Sequence, residues 1–551
     1  MKNLSLLFVS FVLIVSTPAF GAFGDHQWSA GWSAGGGAEP DGSGRIAVAG
    51  TFFSPIDLGG DTLTPGNVFG GDLFVTRFDA DGTHLWSQQY TPGGFGAAFD
   101  GIAAGPDGSI VVVVTLQSGG DVDFGGGVLS GDGEMVVACL GPDGSHRWSF
   151  TAGSGFVRDV DFATASIVIS GYTYDTVDFG GGALASAGDA DVFVASLRPD
   201  GSHRFSAVYG DAAGQGGMAV AAGPADGVIL ASTSESSIDF GGGPLAVTGT
   251  DLCVAAFDST GVHRWSRVSN GDFSPGAGIL ATVDLDVAAD GDVALGGQFS
   301  GAVDFGDGAR TAVGGHDGFL AIYDANGDHV ASRGVGGTLT DGVEGIAFDA
   351  HGNVAIATTF LSPTADFGGT PLTHSGGFGA DWFASVFDET GSDLFSRAWT
   401  GSGQYAMRAD FTSADDLFLT GSGLGGTDFG GGALSTTELF VAVLEGAETA
   451  TTAPAARGGA AHLSPNVPNP FNPATTIRFR LDEDTPRCSV QIHDTAGRLV
   501  RVLHRGPLPA GNHSRRWNGR DDAGRPVASG VYVARLEVGD QVLARGMALV
   551  R

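Results

Sequence analysis

Seven times along the chain a short glycine-rich string recurs: Asp57-Leu58-Gly59-Gly60, then DFGGG or a close variant beginning at Asp123, Asp178, Asp239, Asp304, Asp366 and Asp428. The copies lie 66, 55, 61, 65, 62 and 62 residues apart, so one unit is repeated seven times. Each copy precedes an apolar run, such as Leu73 to Phe78 or Val192 to Leu197, and then a Gly-containing turn. A run opening with His-x-aromatic follows at His84, His146, His203 and His263, and the pattern degrades at His329-Val330-Ala331 and Asp393-Leu394-Phe395. Two more strand-like runs joined by a turn stand before each string, clearest as Gly101 to Ala104, Pro106-Asp107-Gly108 and Ile110 to Leu116. Short β-branched runs bounded by Gly, Pro and Asp predict four strands per repeat.

The ends of the array decide its shape. After the seventh string and its strand, ending at Leu444, no His-x-aromatic strand follows, yet His26-Gln27-Trp28 stands alone near the N-terminus. A fourth strand displaced to the start describes a circle closed by pairing its ends. An open solenoid needs polar caps, whereas radial closure removes long exposed edges. The expected fold is all-β: a seven-bladed β-propeller over residues 22–445, closed by the N-terminal strand.

The repeat resembles the bacterial β-propeller repeats of the SBBP type over about residues 25–445, through its DF-containing turn, D-x-F-V strand and aromatic fourth strand. The resemblance implies a fold more than an activity. With the displaced strand outermost, the innermost strand is the one before each first Asp-Gly turn. One face then carries short hairpins such as Pro142-Asp143-Gly144, and the other carries the DFGGG loops and the variable connections between blades. Variable loops on a rigid frame are where binding is expected. The candidate ligand-binding residues there are Tyr90, Phe95, Tyr209, Phe273, Trp399 and Tyr405; the other reading is that these aromatics pack between blades.

The first residues fit an export signal. Met1, Lys2 and Asn3 precede an apolar run from Leu4 to Val15 and the small-residue pattern Ala19-Phe20-Gly21, so a signal peptide over 1–21 is expected, cleaved near Gly21. No later stretch approaches 18 uninterrupted apolar residues, so the mature chain should not span a membrane by a helix. Cys139, Cys253 and Cys488 have no disulfide or zinc spacing and are expected to be buried thiols. Residues 463–551 hold 13 Arg against 8 carboxylates, while residues 1–462 hold 14 basic against 53 acidic side chains. So acidic a region excludes nucleic-acid binding through phosphates.

Residues 446–462, rich in Ala, Thr, Pro and Gly, read as a linker. Beyond them run Val467-Pro468-Asn469-Pro470-Phe471-Asn472-Pro473, then Thr476-Ile477-Arg478-Phe479, Trp517-Asn518-Gly519-Arg520-Asp521 and Ser529-Gly530-Val531-Tyr532. Alternating runs between Gly-containing turns predict a small β-sandwich. Their order and wording resemble the FlgD-type Ig-like module and the similar C-terminal sorting domains of type IX secretion, over 463–551. That resemblance implies an address for outer-membrane export and type IX-like machinery as a partner; a retained Ig-like spacer is the other reading.

Chemical motifs are few. Gly31-Trp32-Ser33-Ala34-Gly35 fits G-x-S-x-G, but no helix or α/β pattern follows to make a nucleophile elbow. Gly421, Gly423 and Gly426 fit G-x-G-x-x-G but run into another DFGGG turn, without a helix N-terminus to hold a phosphate. One histidine per blade on an outer strand spreads too widely for a shared metal. Asp324-Asn326-Asp328 and Asp79-Asp81 have the oxygen spacing of Ca²⁺ loops without the downstream bidentate Glu, and Asx turns explain them as well. Asp100, Asp159, Asp161, Asp284, Asp286, Glu344 and Asp410 fall on or beside predicted inner strands, at positions that are not equivalent from blade to blade. In pairs such carboxylates would serve glycan hydrolysis; a hydrogen-bonded channel is the default. The expectation is an exported, non-enzymatic propeller that binds an extracellular protein or glycan at the cell surface or after secretion. The alternatives are an enzyme acting on extracellular polysaccharide and a structural surface protein.

Overall fold

The structure is a computed structural model. It describes residues 24–446 apart from 68, 164, 274–282, 368–370, 377–379, 389–392, 401–404, 424–425 and 435–438, together with 461–463, 471–481, 485–494, 498–509, 511–538 and 541–550. The expected signal peptide and most of the expected linker lie outside these residues.

Among the described residues the only helical turn is Pro224–Asp226, and the rest of the regular structure is antiparallel strand. Seven four-stranded sheets follow in chain order, numbered here 1 to 7 by their first strands: Gly35–Pro40, Ala97–Ala104, Phe156–Phe162, Gln215–Ala222, Val283–Val287, Gly345–Phe348 and Tyr405–Phe411. In sheets 1 to 6 the four strands are consecutive long strands of the chain; two short strands, Thr176–Val177 and Leu184–Ala185, also join sheet 2. In sheet 7 the fourth position is taken by His26–Trp32, which pairs with Leu439–Leu444 from His26 opposite Leu444 to Trp32 opposite Leu439.

The strings at Asp123, Asp178, Asp239, Asp304 and Asp428 perform the same piece of turn chemistry. In the second copy, Asp123 Oδ1 accepts from the amides of Gly125 at 2.7 Å and Gly127 at 3.0 Å, and Phe124 is buried. Gly125 and Gly127 hold φ of 106° and 112°, which side chains rarely adopt. Between them Gly126 lies against the His146 ring, where an added Cβ would stand 2.3 Å from Cε1. His146 Nε2 in turn meets Ser149 Oγ at 3.0 Å. The same glycine–histidine contact recurs at Gly60 with His84, Gly181 with His203, Gly242 with His263 and Gly431 with His26. The histidines are therefore loop supports for their own sheets.

The tryptophan two residues after four of the histidines joins one sheet to the next. Trp86 of sheet 1 donates Nε1–H to Pro142 O of sheet 2, Trp148 of sheet 2 to Pro199 O of sheet 3, and Trp265 of sheet 4 to Ala325 O of sheet 5, at 2.9 to 3.1 Å. Trp28, on the displaced strand of sheet 7, donates to Ala80 O of sheet 1 at 3.0 Å. One apolar cluster holds Trp32, Leu439 and Val441 of sheet 7 with Val48 and Phe74 of sheet 1. Cys139, Cys253 and Cys488 are buried free thiols, and burial pushes Cys139 and Cys253 up to about 12.

The C-terminal region forms a three-stranded sheet, Ala461–Leu463, Thr475–Leu481 and Gly511–Trp517, and a four-stranded one, Leu499–Leu508, Thr485–Asp494, Gly530–Val538 and Gln541–Leu549. Phe471, Ile477, Phe479, Val490, Ile492, Trp517 and Leu536 share one core between them. Trp517 donates to Arg520 O at 2.9 Å and Tyr532 to Ala528 O at 2.7 Å, so the W-x-G-R-D and SGVY runs serve packing and turn formation. Composition places Ala461 and His462 in the linker, but they pair with Leu481 and Arg480 and begin the sandwich.

Candidate functional site

A cavity of about 160 Å³ is lined by the first strands of all seven sheets. Strand register places its side chains in two tiers. Opposite Ala49, Val113, Ser170, Ala231, Gly296, Ala357 and Thr420 of the second strands stand Gly37, Gly101, Asp159, Ala219, Asp284, Gly345 and Arg408. Two residues further on stand Glu39, Ala103, Asp161, Ala221, Asp286, Ala347 and Asp410. In the second tier carboxylates from sheets 1, 3, 5 and 7 alternate with alanines from sheets 2, 4 and 6. Five of the acidic positions expected to be non-equivalent are thus equivalent, Asp159 with Asp284 and Asp161 with Asp286 and Asp410, whereas Asp100 and Glu344 fall in neither tier. Register shifts between Phe99 and Gly101, Val157 and Asp159, Gly217 and Ala219, and Tyr405 and Met407 hide the equivalence by changing the strand parity.

The alternation has a chemical cause. A first strand has no further strand on its cavity side, so its amides there need other acceptors. Asp159 Oδ2 accepts from Val220 N at 2.9 Å and Asp161 Oδ2 from Ala222 N at 2.8 Å, joining sheet 3 to sheet 4. Asp284 Oδ2 accepts from Ile346 N at 3.0 Å and Asp286 Oδ2 from Phe348 N at 2.7 Å, joining sheet 5 to sheet 6. Glu344 Oε2 accepts from Met407 N at 3.0 Å, joining sheet 6 to sheet 7. At the position equivalent to Ala222, sheet 1 carries Pro40, which has no amide hydrogen, and Asp410 of sheet 7 accepts from its own neighbour Phe411 N at 2.6 Å instead.

Charge is unbalanced within the cavity. Arg408 of sheet 7 donates to Asp159 Oδ1 of sheet 3 at 3.2 Å. Burial opposes its charge, but Asp159, Asp284 and Glu39 outweigh that and hold it firmly protonated. Burial pushes Asp161 up to about 6 and Asp284 and Glu344 up to about 7. Glu39 and Asp410 are raised well above the ordinary carboxylate range by burial and then by neighbouring carboxylates. Glu39 and Arg408 are absent from the sequence-derived set, since neither stands out until the seven strands are in register. Asp100, which is in that set, lies outside this cavity and accepts from Thr115 Oγ1 at 2.6 Å.

The aromatic candidates mostly fail the requirement of accessibility. Tyr90 is buried against Phe124, its hydroxyl bonded to Gln88. Phe273 is buried against Phe319, and Trp399 against Phe429. Tyr209 is half-buried and stacked on Phe257 at 5.7 Å. Each packs on the phenylalanine of the next DFGGG string, Tyr90 on Phe124, Tyr209 on Phe240, Phe273 on Phe305 and Trp399 on Phe429, so loop position in the sequence does not make it a surface residue. Phe95 is exposed, and the Tyr405 side chain lies outside the described residues. Asp324 Oδ1 accepts from Asn326 N and Asp328 N, and Asp79 Oδ1 from Thr83 N, so these oxygens brace their own turns. Among the described residues no three His, Cys, Asp or Glu side chains converge as a metal group would require, and no helix is long and apolar enough to cross a membrane.

The FlgD Ig-like domain family model matches residues 466–541, which supports a C-terminal Ig-like domain. No match to this chain is found among curated proteins. Among solved structures, a fungal alcohol oxidase in complex with copper is 12% identical, covering 96% of this chain and 98% of its own, at a TM-score of 0.33. A subtype N11 neuraminidase-like protein of A/flat-faced bat/Peru is 9% identical, covering 63% and 86%, at 0.33. PorZ, a bacterial surface component of the type-IX secretion system of Porphyromonas gingivalis, is 12% identical, covering 97% and 99%, at 0.15. At these scores the likenesses carry no argument about this chain.

Proposed function

We propose that residues 24–446 are a seven-bladed β-propeller of SBBP-type repeats closed by the N-terminal strand. On this reading it works as a non-enzymatic binding protein at the cell surface or in the medium. The observation that carries this reading is the single cavity lined by all seven first strands, with Trp28 bonded to Ala80 across the two ends of the array. The repeated motifs hold the frame, and the unrepeated loops on the DFGGG face are free to recognise an extracellular protein or glycan. The FlgD Ig-like domain acts as the export address, with a signal peptide removed near Gly21. The test is the intact mass of the protein recovered from the outer surface and medium of its native cells. The reading predicts a chain starting after Gly21 and ending near residue 462; a chain retaining Met1 inside the cell overturns it, and one ending at Arg551 makes the Ig-like domain a lasting spacer.

A second reading rests on two carboxylates of the cavity, Asp161 and Asp284, and on Glu344 just before the first strand of sheet 6. Asp161, Asp284 and Glu344 are raised toward neutrality, the condition a general acid needs. A polysaccharide-cleaving enzyme on this frame predicts that Asp161→Asn or Asp284→Asn abolishes release of reducing sugar. The same substitutions leave a binder's affinity unchanged.

A further inference from the structure

Phe53, Phe69 and Phe95 are exposed beside sheets 1 and 2, and sheet 3 carries two exposed rings in contact with each other. Phe156, which opens its first strand, is 49% exposed, and Tyr174, just beyond its second, is 57% exposed. Tyr172 stands between them: Phe156 stacks on it at 5.1 Å and 22°, and Tyr174 meets both rings edge-on at 89°. The three rings form one aromatic wall that leaves parts of Phe156 and Tyr174 open to water.

Beside the wall opens a second cavity of about 150 Å³, lined by Phe99, Asp100, Arg158 and Arg408 among others. Arg158 links the two features, lying in this lining with its guanidinium 5.4 Å from the Tyr172 centroid. Asp100 lines the same cavity and accepts from Thr115; burial pushes it up to about 7, with Thr115 and Arg158 acting in the opposite sense. The site therefore presents two exposed rings, the guanidinium groups of Arg158 and Arg408, and the carboxyl groups of Asp100, Glu39 and Asp159.

Charge and size narrow the ligand. A region carrying 53 acidic against 14 basic residues repels polyanions. Arg158 already occupies the Tyr172 face where an organic cation would sit. The cavity is smaller than the roughly 300–1,000 Å³ that enclose a whole small ligand, so an occupant must leave most of its body outside along the rings. An uncharged polymer whose units each have a flat C–H face and a rim of hydroxyls meets all three conditions.

We propose that Phe156, Tyr172 and Tyr174, with Arg158 and Asp100, bind a neutral glycan chain, one sugar ring lying on the aromatic wall and its hydroxyls directed to the charged pair. This rests on the binding reading above and gives it a site and a ligand class. It predicts that the purified full chain binds at least one of cellohexaose, mannohexaose, xylohexaose and chitohexaose in calorimetry. Phe156→Ala and Tyr174→Ala, both at exposed positions, each weaken that binding about tenfold with the melting temperature unchanged. Arg158→Ala weakens it without altering aromatic circular dichroism. If no hexaose binds, the glycan assignment fails. If a hexaose binds equally to both aromatic variants, this site fails while the binding reading stands. If the aromatic substitutions abolish capture of a protein partner and no hexaose binds, the ligand class is wrong and the binding reading survives.

Discussion

At the fourth strands, His26, His84, His146, His203 and His263 make one contact five times over, each under the second glycine of its loop, and Trp28, Trp86, Trp148 and Trp265 make one inter-sheet bond four times over. The first strands, built from the same repeat, do the opposite. Equivalent positions there carry Glu39, Ala103, Asp161, Ala221, Asp286, Ala347 and Asp410, and the bonds they make reach different partners. Repetition marks what every sheet needs in order to fold, and departure from it marks what the molecule needs once. The aromatic group of sheet 3 is such a departure: among the described residues no other sheet has two exposed rings in contact.

Four perturbations separate the two regions, in descending order of effect. Deleting residues 24–34 removes the strand that completes sheet 7 and the Trp28 bond to sheet 1. Thermal melting of the seven-sheet region should fall by more than about 10 °C and lose cooperativity. Substituting within one repeated loop is smaller: Gly126→Val drives a side chain into His146 and should cost about 2–3 kcal/mol in denaturant unfolding. At Gly127, φ is 112° with open space beyond it, so Gly127→Ala should cost only about 1 kcal/mol of backbone strain.

The third perturbation is pH, and it acts on the first strands. Asp161, Asp284 and Glu344 hold protons more tightly folded than unfolded, with folded values of about 6, 7 and 7. Their contribution is fully present below the unfolded value near pH 4 and is lost as pH rises through 6 to 7. Melting temperature should therefore fall between pH 5 and pH 8, and Asp284→Asn should flatten that fall. The smallest effect belongs to Trp86→Phe, which keeps the ring and removes one hydrogen bond to Pro142, about 1 kcal/mol in the same unfolding assay.

Much of the frame was legible in the sequence because turn chemistry is local. The Asp, Phe and Gly of each string act within five residues of one another, and the orphan strand at His26 found its pairing with Leu439–Leu444. The candidate site was far less legible. Tyr90, Phe273 and Trp399 looked like loop aromatics and are core, since burial depends on what folds over a residue from elsewhere in the chain. Glu39 and Arg408 went unnoticed because bulges shift the parity of several first strands, so no linear period reveals the tiers. Phe156, Tyr172 and Tyr174 span two strands, and their stacking follows only from the pairing of Phe156 with Tyr172.

Closure of the array by its N-terminal strand is the claim on which the rest depends. Hydrogen exchange on the intact chain tests it directly, comparing peptides over residues 26–32 with those over residues 84–90, the equivalent strand of sheet 1. The account predicts matching slow exchange in the two segments. Exchange of residues 26–32 at the rate of an unstructured terminus, with residues 84–90 protected, would contradict it.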